Sequence, residues 1–320
     1  MKFRAGFVSI IGRPNAGKST LLNALVGEKI AIVSRKPQTT RNRIQGIVNL
    51  KAAKGMPAGQ IVFVDTPGVH KPDSNLNRKM MHEVQEALEG RDLVLFLLDV
   101  THKLDANDRF ALQMLERAGG PAFLVLTKID LIEKTKLLPL IAEYSQLHAF
   151  KEVIPISSVK KDGLQQLVQK VVNALPEGQP YFPPDQMTDQ PERFIAAELI
   201  REKILRETGE ELPYATTVVV ERFEEGAKLT RISATIYCER EGQKRILIGK
   251  GGSMLKKIGT AARLDIERLL GMKVFLELFV KVEPGWRESR GFVDQLDWRK
   301  QLEDIGSRMQ DAGGRDDTES

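Results

Sequence analysis

The stretch Gly12-Arg13-Pro14-Asn15-Ala16-Gly17-Lys18-Ser19 decides the fold, because it fits the spacing G-x-x-x-x-G-K-[ST] with Gly12, Gly17, Lys18 and Ser19 at the fixed positions. A loop of this kind wraps a triphosphate. Its backbone N–H groups face the phosphate oxygens, its lysine reaches the β and γ phosphates, and its serine hydroxyl binds magnesium. The helix N-terminus just beyond adds a field that favours anions. A glycine-rich turn with a chance lysine is the plainer alternative, and the flanks argue against it. Phe7-Val8-Ser9-Ile10-Ile11 is a β-branched run that reads as a strand, and Thr20-Leu21-Leu22-Asn23-Ala24-Leu25-Val26 reads as a helix. Strand, glycine loop, helix is the order the motif needs.

Composition frames what the rest of the chain can be. A length of 320 residues suits two domains, and apolar residues are ample for a core. No apolar run reaches the roughly 18 residues of a membrane span. The chain opens almost directly on a strand, without a secretory pattern. Cys238 is the only cysteine, which excludes an internal disulfide and a multi-cysteine metal site and fits a reducing cytoplasm. The net charge of +5 permits a polyanionic partner without demanding one.

Three further segments complete a guanine-nucleotide site. Ile61-Val62-Phe63-Val64 reads as a buried strand ending in Asp65-Thr66-Pro67-Gly68. An aspartate there can hold magnesium through water, and Gly68 lets a backbone N–H approach the γ-phosphate. Leu93 to Asp99 and Ala122 to Leu126 read as two more strands, the second ending in Thr127-Lys128-Ile129-Asp130. The two acceptor oxygens of Asp130 match the paired N1 and N2 donors of guanine, which adenine lacks. The stem of Lys128 can cover the base face. Thr127 stands where asparagine is commoner; its hydroxyl is shorter than an amide, so a weaker contact to the base or the glycine loop is expected. Val153-Ile154-Pro155-Ile156-Ser157-Ser158 is the last strand, and the N–H groups of its small polar end can bond the guanine carbonyl.

Between the first two motifs, Ser34 to Arg41 has no periodic apolar face and reads as a mobile loop; the resemblance of the surrounding motifs to those of GTPases implies a switch threonine in it that closes on magnesium. Thr40 is the first choice and Thr39 the second. Arg35, Lys36, Arg41 and Arg43 read as ordinary solvated charges. Val69 occupies the position where Ras-like enzymes place a water-orienting glutamine, and His70 after it reads as a surface histidine. The catalytic set is therefore Lys18, Thr40 and Gly68, and the metal set Ser19, Thr40 and Asp65.

The periodicity stops in the proline- and glycine-rich run Leu175 to Pro184, a linker signal. The layout read from the sequence is a nucleotide domain over 1–178, a linker over 179–192, a second domain with a C-terminal extension over 193–300, and a disordered tail over 301–320. In the second domain, Arg193 to Glu207 has helical periodicity, Ala215 to Glu221 and Thr230 to Glu239 read as strands, and Cys238 falls on an apolar face as a small buried hydrophobe. Ile248-Gly249-Lys250-Gly251-Gly252 then precedes a helix from about Ser253 to Leu269, and Lys273 to Val282 is a last strand. A G-x-x-G loop between helical segments is the KH signature, in which glycines let the backbone approach a nucleic-acid strand. From Lys244 to Lys273 there are eight basic residues, Lys250, Lys256 and Lys257 among them, against two acids, a bias that supports phosphate contacts. A solvated helix face beside a glycine turn is the bland alternative. Gly259, inside the helix, costs stability for no reason visible in the sequence. Trp286 and Phe292 read as packing the extension back on the domain.

GRPNAGKS, QTTR, DTPG and TKID, followed by ELPY at Glu211 to Tyr214 and IGKGG before a helix, closely resemble the Era-like family of bacterial GTPases. The resemblance implies a P-loop GTPase domain, a mostly parallel α/β sheet with helices on both faces, followed by an α+β type II KH domain. It implies slow GTP hydrolysis with Mg2+, binding of the 3′ end of 16S rRNA, maturation of the small ribosomal subunit, and work in the cytoplasm with peripheral contact at the inner membrane; the oligomeric state is left open, with a monomer favoured. The apolar Val69 looks like the translation-factor-related TrmE-Era-EngA class, and Asn15 matches the residue that cation-stimulated members use for K+. An RNA-binding assembly protein with a structural nucleotide is the alternative, motivated by Thr127 and Val69. A kinase or ATPase is disfavoured by Asp130, and a tRNA-modifying GTPase by the KH module.

Overall fold

The computed structural model describes residues 2–34, 36, 38–209 and 212–299. The chain divides into two compact units: residues up to Gln190, apart from Ser74–Leu76, form the first, and Pro191 onward the second. No helix among the described residues is long and apolar enough to cross a membrane. Glu211, and the tail read as disordered, lie outside the described residues.

The first unit runs β1 (Arg4–Ile11), α1 (Lys18–Val26), β2 (Ile44–Leu50), β3 (Gly59–Asp65), α2 (Asn75–Glu89), β4 (Leu93–Asp99), α3 (Ala106–Ala118), β5 (Ala122–Thr127), α4 (Lys134–Tyr144), β6 (Glu152–Pro155) and α5 (Leu164–Ala174). The sheet order is β2-β3-β1-β4-β5-β6, parallel except for β2. Strands β3, β4 and β5 are buried at every residue, as a parallel sheet covered on both faces requires. The winding moves from β1 toward β3 and then reverses to β4, β5 and β6. Ligands bind at the carboxyl ends of strands beside such a reversal, and every nucleotide motif sits there.

Residues 179–190, read as linker, lie along the β2 edge of this sheet rather than free. Gln60 is fully buried. Its Oε1 accepts from the N–H groups of Tyr181 at 2.7 Å and Phe182 at 3.0 Å, while its Nε2 donates to the Phe182 carbonyl and to Asn49 Oδ1, each at 2.8 Å. Ile47 N–H donates to the Met187 carbonyl at 2.9 Å, and Thr188 bridges Gly46. The segment thus covers part of an edge that would otherwise expose unpaired backbone groups.

The second unit runs α6 (Glu192–Glu207), α7 (Leu212–Ala215), β7 (Thr217–Glu224), β8 (Leu229–Cys238), α8 (Glu241–Ile248), α9 (Ser253–Leu270), β9 (Lys273–Val282) and α10 (Arg290–Gln295). The sheet order is β7-β8-β9, with β8 and β9 parallel. Ile258, Ala262 and Ile266 form the buried stripe of α9. The strand expected from Ala215 starts instead at Thr217, where the ladder with Tyr237 begins. Ala215 ends a short helix, and its carbonyl accepts from Trp286 Nε1 at 3.0 Å. Trp286 is fully buried, and Phe292 packs on Trp286 and Tyr237, so both aromatics are packing residues. Cys238 is buried, and burial pushes its thiol pKa up.

Replacing Gln60 by leucine keeps its bulk and removes all four bonds. The variant should lose about 1–3 kcal/mol of stability. Amide exchange and proteolysis within residues 179–190 should accelerate, and unchanged protection of Tyr181 and Phe182 would contradict this account.

Candidate nucleotide and RNA sites

The glycine loop joins β1 to α1. Lys18 is buried, and its Nζ donates to the carbonyls of Gly12 at 3.1 Å and Arg13 at 2.9 Å. Burial pulls its pKa down to about 8, against the attraction of Asp65. Asp65 ends β3 and is fully buried. Burial raises its pKa to about 6, opposed by Lys18 and by hydrogen bonds from Ser19 and Thr40. Both groups therefore sit where an ionised form is costly without a partner of opposite charge.

Ser19 Oγ lies 2.6 Å from Asp65 Oδ2 and 2.7 Å from Thr40 Oγ1, and Thr40 Oγ1 is 3.3 Å from the same carboxylate oxygen. The three oxygens come from the glycine loop, the switch loop and the end of β3. Thr39 is turned away, its hydroxyl donating to the Lys36 carbonyl at 2.6 Å. The cluster fits magnesium, a hard cation that takes oxygen ligands and shares substrate phosphates. Asp65 Oδ1 is buried without a hydrogen-bond partner, a spare acceptor of the kind such an ion or its waters would use. Among the described residues no group of three or more His, Cys, Asp or Glu side chains could hold a metal ion. Magnesium held here would neutralise charge on the β- and γ-phosphate oxygens.

Gly68 packs on Pro14: a Cβ at Gly68 would stand 2.7 Å from the Pro14 Cα, so only glycine lets the two loops approach this closely. Val69 is fully buried, and its N–H donates to the Gly12 carbonyl at 3.1 Å. His70 is half-buried, with Nδ1 2.7 Å from the Gly68 carbonyl. Thr66 bonds the Ile10 carbonyl at 2.8 Å and Pro67 is buried, so these two shape the loop. Arg41 is buried rather than solvated, and Arg43 pairs with Glu83 and Glu86 on α2.

The base side is assembled by the register that sets Asp99 beside Thr127. Thr127 Oγ1 lies 2.8 Å from the Ala16 carbonyl and 3.2 Å from that of Leu98. The contact to the glycine loop, expected to be weak, thus has ordinary hydrogen-bond length. Lys128 Nζ is 2.5 Å from Asp99 Oδ2. Burial works against ionisation of Asp99, but bonds from Lys128 and Thr101 outweigh it and hold its carboxyl below the usual range. Arg13 is turned from the phosphates: its guanidinium pairs with Asp99 at 3.6 Å, Asp105 at 3.1 Å and Asp108 at 3.6 Å. Sequence reasoning missed this hub, because only the fold brings α3 to the glycine loop. Asp130 is exposed just past Lys128, which adopts a left-handed backbone. The Ser157 N–H already donates to the Asp162 carbonyl at 3.0 Å, which leaves Ser158 to meet a base carbonyl. Asn15 is exposed at the loop's left-handed turn, with φ of 63°, and its amide offers an oxygen that a monovalent cation could use.

In the second unit, Ile248 ends α8 and Gly249 to Gly252 turn the chain into α9. Gly249 has φ of 72°, and a Cβ there would stand 2.8 Å from the Met254 backbone nitrogen. Gly251 has φ of 58° with open space around it. Lys250 and Lys256 are exposed, and Lys256 lines a cleft beside the loop. Lys257, grouped with them in the sequence, is instead paired with Glu207 on α6. Lys256 and Lys257 are consecutive on α9, and consecutive residues of a helix point about 100° apart.

Thr127→Val keeps the shape and removes the donor to Ala16. GDP release should quicken roughly 2- to 12-fold, the equivalent of a hydrogen bond worth about 0.5–1.5 kcal/mol. Stopped-flow release of a fluorescent GDP measures it, and an unchanged rate would assign the bond no role in holding the loop.

Residues 7–128 match the family described as "50S ribosome-binding GTPase", and residues 211–287 match the KH domain. The chain is 53% identical to the GTPase Era of Geobacter metallireducens over 296 residues, covering 92% of this chain and 97% of that one. It is 48% identical to the GTPase Era of Ruminiclostridium cellulolyticum over 300 residues, covering 93% and 99%. Among solved structures, an Aquifex aeolicus Era variant bound to GDP and AlF4− superposes with a TM-score of 0.87 at 39% identity, covering 92% of this chain and 99% of that one. An Era in complex with MgGDPNP and nucleotides 1506–1542 of 16S ribosomal RNA superposes with a TM-score of 0.88, also at 39% identity and the same coverage. A nucleotide site built on an α/β sheet, a KH unit after it, and identity of this order along nearly the whole length have one reading: the chain belongs to the GTPase Era family and is a GTPase.

Proposed function

We propose that the chain is a GTP-controlled switch that binds the 3′ end region of 16S rRNA and assists maturation of the small ribosomal subunit. The observation that carries the switch is the cluster of Ser19, Thr40 and Asp65 oxygens, in which the loop bearing Thr40 is held on the glycine loop. The RNA assignment draws support from the KH unit with its glycine loop and from the related Era solved with 16S RNA nucleotides. In this reading Lys18 and the loop N–H groups of Gly12 to Ser19 hold the phosphates, with Gly68 approaching the γ-phosphate. Asp130 selects guanine, Lys128 covers the base, and Ser158 meets its carbonyl. Ser19, Thr40 and Asp65 hold magnesium. Gly249 to Gly252 meet the RNA backbone, with Lys250 and Lys256 on its phosphates. Hydrolysis to GDP and phosphate removes the group that keeps Thr40 and Gly68 in place, which is how a γ-phosphate switch operates. Work in the cytoplasm on the subunit, with peripheral contact at the inner face of the membrane, belongs to the same reading and rests on the resemblance.

The test is binding of a labelled 16S 3′-end oligonucleotide with GDP and with a non-hydrolysable GTP analogue. Affinity should differ between the two nucleotide states by roughly 5- to 150-fold, the usual span of coupling between sites. Gly251→Asp is the control: aspartate tolerates a left-handed backbone, so it adds a charge at the loop with little strain, and it should abolish binding. Equal affinity in both states would end the switch.

Asn15 supports a second expectation. Turnover should be faster in potassium than in sodium at equal ionic strength, and Asn15→Ala should remove the difference. Equal rates in the two salts would leave the monovalent ion without a part.

A further inference from the structure

We propose that Asp99 is a positioning residue of the guanine site: its buried carboxylate tethers the Lys128 ammonium, and so holds the side chain that covers the base and the turn that presents Asp130. The inference rests on the reading of Lys128 as the cover of the base and names what keeps it there.

Strands β3 and β4 each end on an aspartate, Asp65 and Asp99, and both are buried. A carboxylate so placed is costly unless other groups bond it. The two differ in how their oxygens are used. Asp65 Oδ1 is left without a partner, as suits a metal ligand. Asp99 has both oxygens engaged. Its Oδ1 accepts from the Thr101 N–H at 3.0 Å and from the Thr101 hydroxyl at 2.6 Å. Its Oδ2 accepts from Lys128 Nζ at 2.5 Å, with the Arg13 guanidinium and His102 Nδ1 each at 3.6 Å. Such a carboxylate holds its neighbours rather than a ligand.

Of these neighbours, Lys128 is the one that depends on Asp99. Arg13 keeps Asp105 at 3.1 Å and Asp108 at 3.6 Å if Asp99 is lost. For Lys128, Asp99 is the only ion-pair partner among the described residues. The tether matters because the Lys128 backbone is in an uncommon state. Its φ of 61° and ψ of 33° are left-handed, a conformation that a residue with a side chain keeps only where its surroundings enforce it. Lys128 leads into a single 3-10 turn over Ile129–Leu131, on which Asp130 stands, and the Leu131 N–H donates to the Lys128 carbonyl at 3.0 Å. On the main-chain side the Ile129 N–H holds this turn to the Ile156 carbonyl at 3.3 Å. On the side-chain side Asp99 holds it to β4, beside the register pair of Asp99 and Thr127. An ammonium pinned at its tip keeps the four-carbon stem extended. A stem ordered before the nucleotide arrives loses less rotamer freedom on binding.

The experiment measures GDP affinity, steady-state GTP hydrolysis and melting temperature in the full chain, in Asp99→Asn, in Lys128→Met and in the double variant. Asparagine keeps the shape of Asp99 but cannot accept on both sides, because its NH2 group would face a donor. GDP affinity should fall roughly 3- to 30-fold, the loss of a charged hydrogen bond screened at a lysine side chain that is 32% exposed. KM for GTP should rise by a similar factor while kcat moves little, the mark of binding lost equally from ground and transition states. Lys128→Met keeps the stem and removes the tethered ammonium without touching a buried group, so it tests the tether even if Asp99→Asn is unstable. It should weaken GDP to a similar extent, and adding Asp99→Asn to it should cost nothing more. Additive losses in the double variant would overturn the tether, since Asp99 would then act apart from Lys128. So would wild-type GDP affinity in either single variant, or a loss in Asp99→Asn that falls on kcat with KM unaltered. Lys128→Ala, which removes the stem as well, tests the reading beneath: wild-type GDP affinity there would overturn Lys128 as the cover of the base, and the tether with it.

Discussion

The first unit depends on one interaction, the parallel hydrogen-bonded register of its central strands. Pairing Ile10 with Asp65 brings the end of β3 level with the glycine loop, and pairing Asp99 with Thr127 sets the base-side residues next to each other. A slip of one residue would turn every side chain of a strand to the opposite face. Asp65 would then leave Ser19, and Thr127 would lose the Ala16 carbonyl. The interiors of β3, β4 and β5, apolar apart from the hydrogen-bonded Gln60, hold this register, because burial on both faces admits a polar residue only where its bonds are met. The chemistry begins where the apolar run stops.

Charge is handled in two ways at that edge. Lys18 and Asp65 are buried, and burial shifts each toward its neutral form. A triphosphate with magnesium supplies the opposite charges that such groups favour, so the same burial that costs stability raises the value of binding. Arg13, Lys128, Asp99, Asp105 and Asp108 behave differently. Their charges are paired within the protein, two cations among three carboxylates, and, against its burial, hydrogen bonds from Lys128 and Thr101 hold the Asp99 carboxyl below the usual range. Through Asp99 this network ties Lys128, beside the end of β5, to Arg13 of the glycine loop.

The second unit spends glycine on access. Gly249 and Gly251 take left-handed conformations that shape the loop, and Gly259 leaves helix backbone bare in a cleft. Each costs conformational entropy relative to alanine. That cost is consistent with a surface built for a partner that must approach closely.

Much was legible in the sequence because the motifs are local. The glycine loop, D-T-P-G, the Lys128–Asp130 element and the G-x-x-G loop are short spacings whose strand or helix context is readable beside them, and the strands Leu93–Asp99 and Lys273–Val282 have the bounds read from the sequence. Pairings between distant segments were not legible. Whether Thr39 or Thr40 faces magnesium depends on where the switch loop lands on Ser19, 21 residues away. Arg13 finds three carboxylates, Gln60 pins residues 181–182, and Lys257 turns to Glu207, each across a separation that no spacing encodes. The sequence by itself determined the set of chemical groups and the elements that carry them, because backbone preference and hydrophobic period act over a few residues. The tertiary structure alone decided which groups meet, because contact depends on strand register and helix orientation that only the packed core specifies.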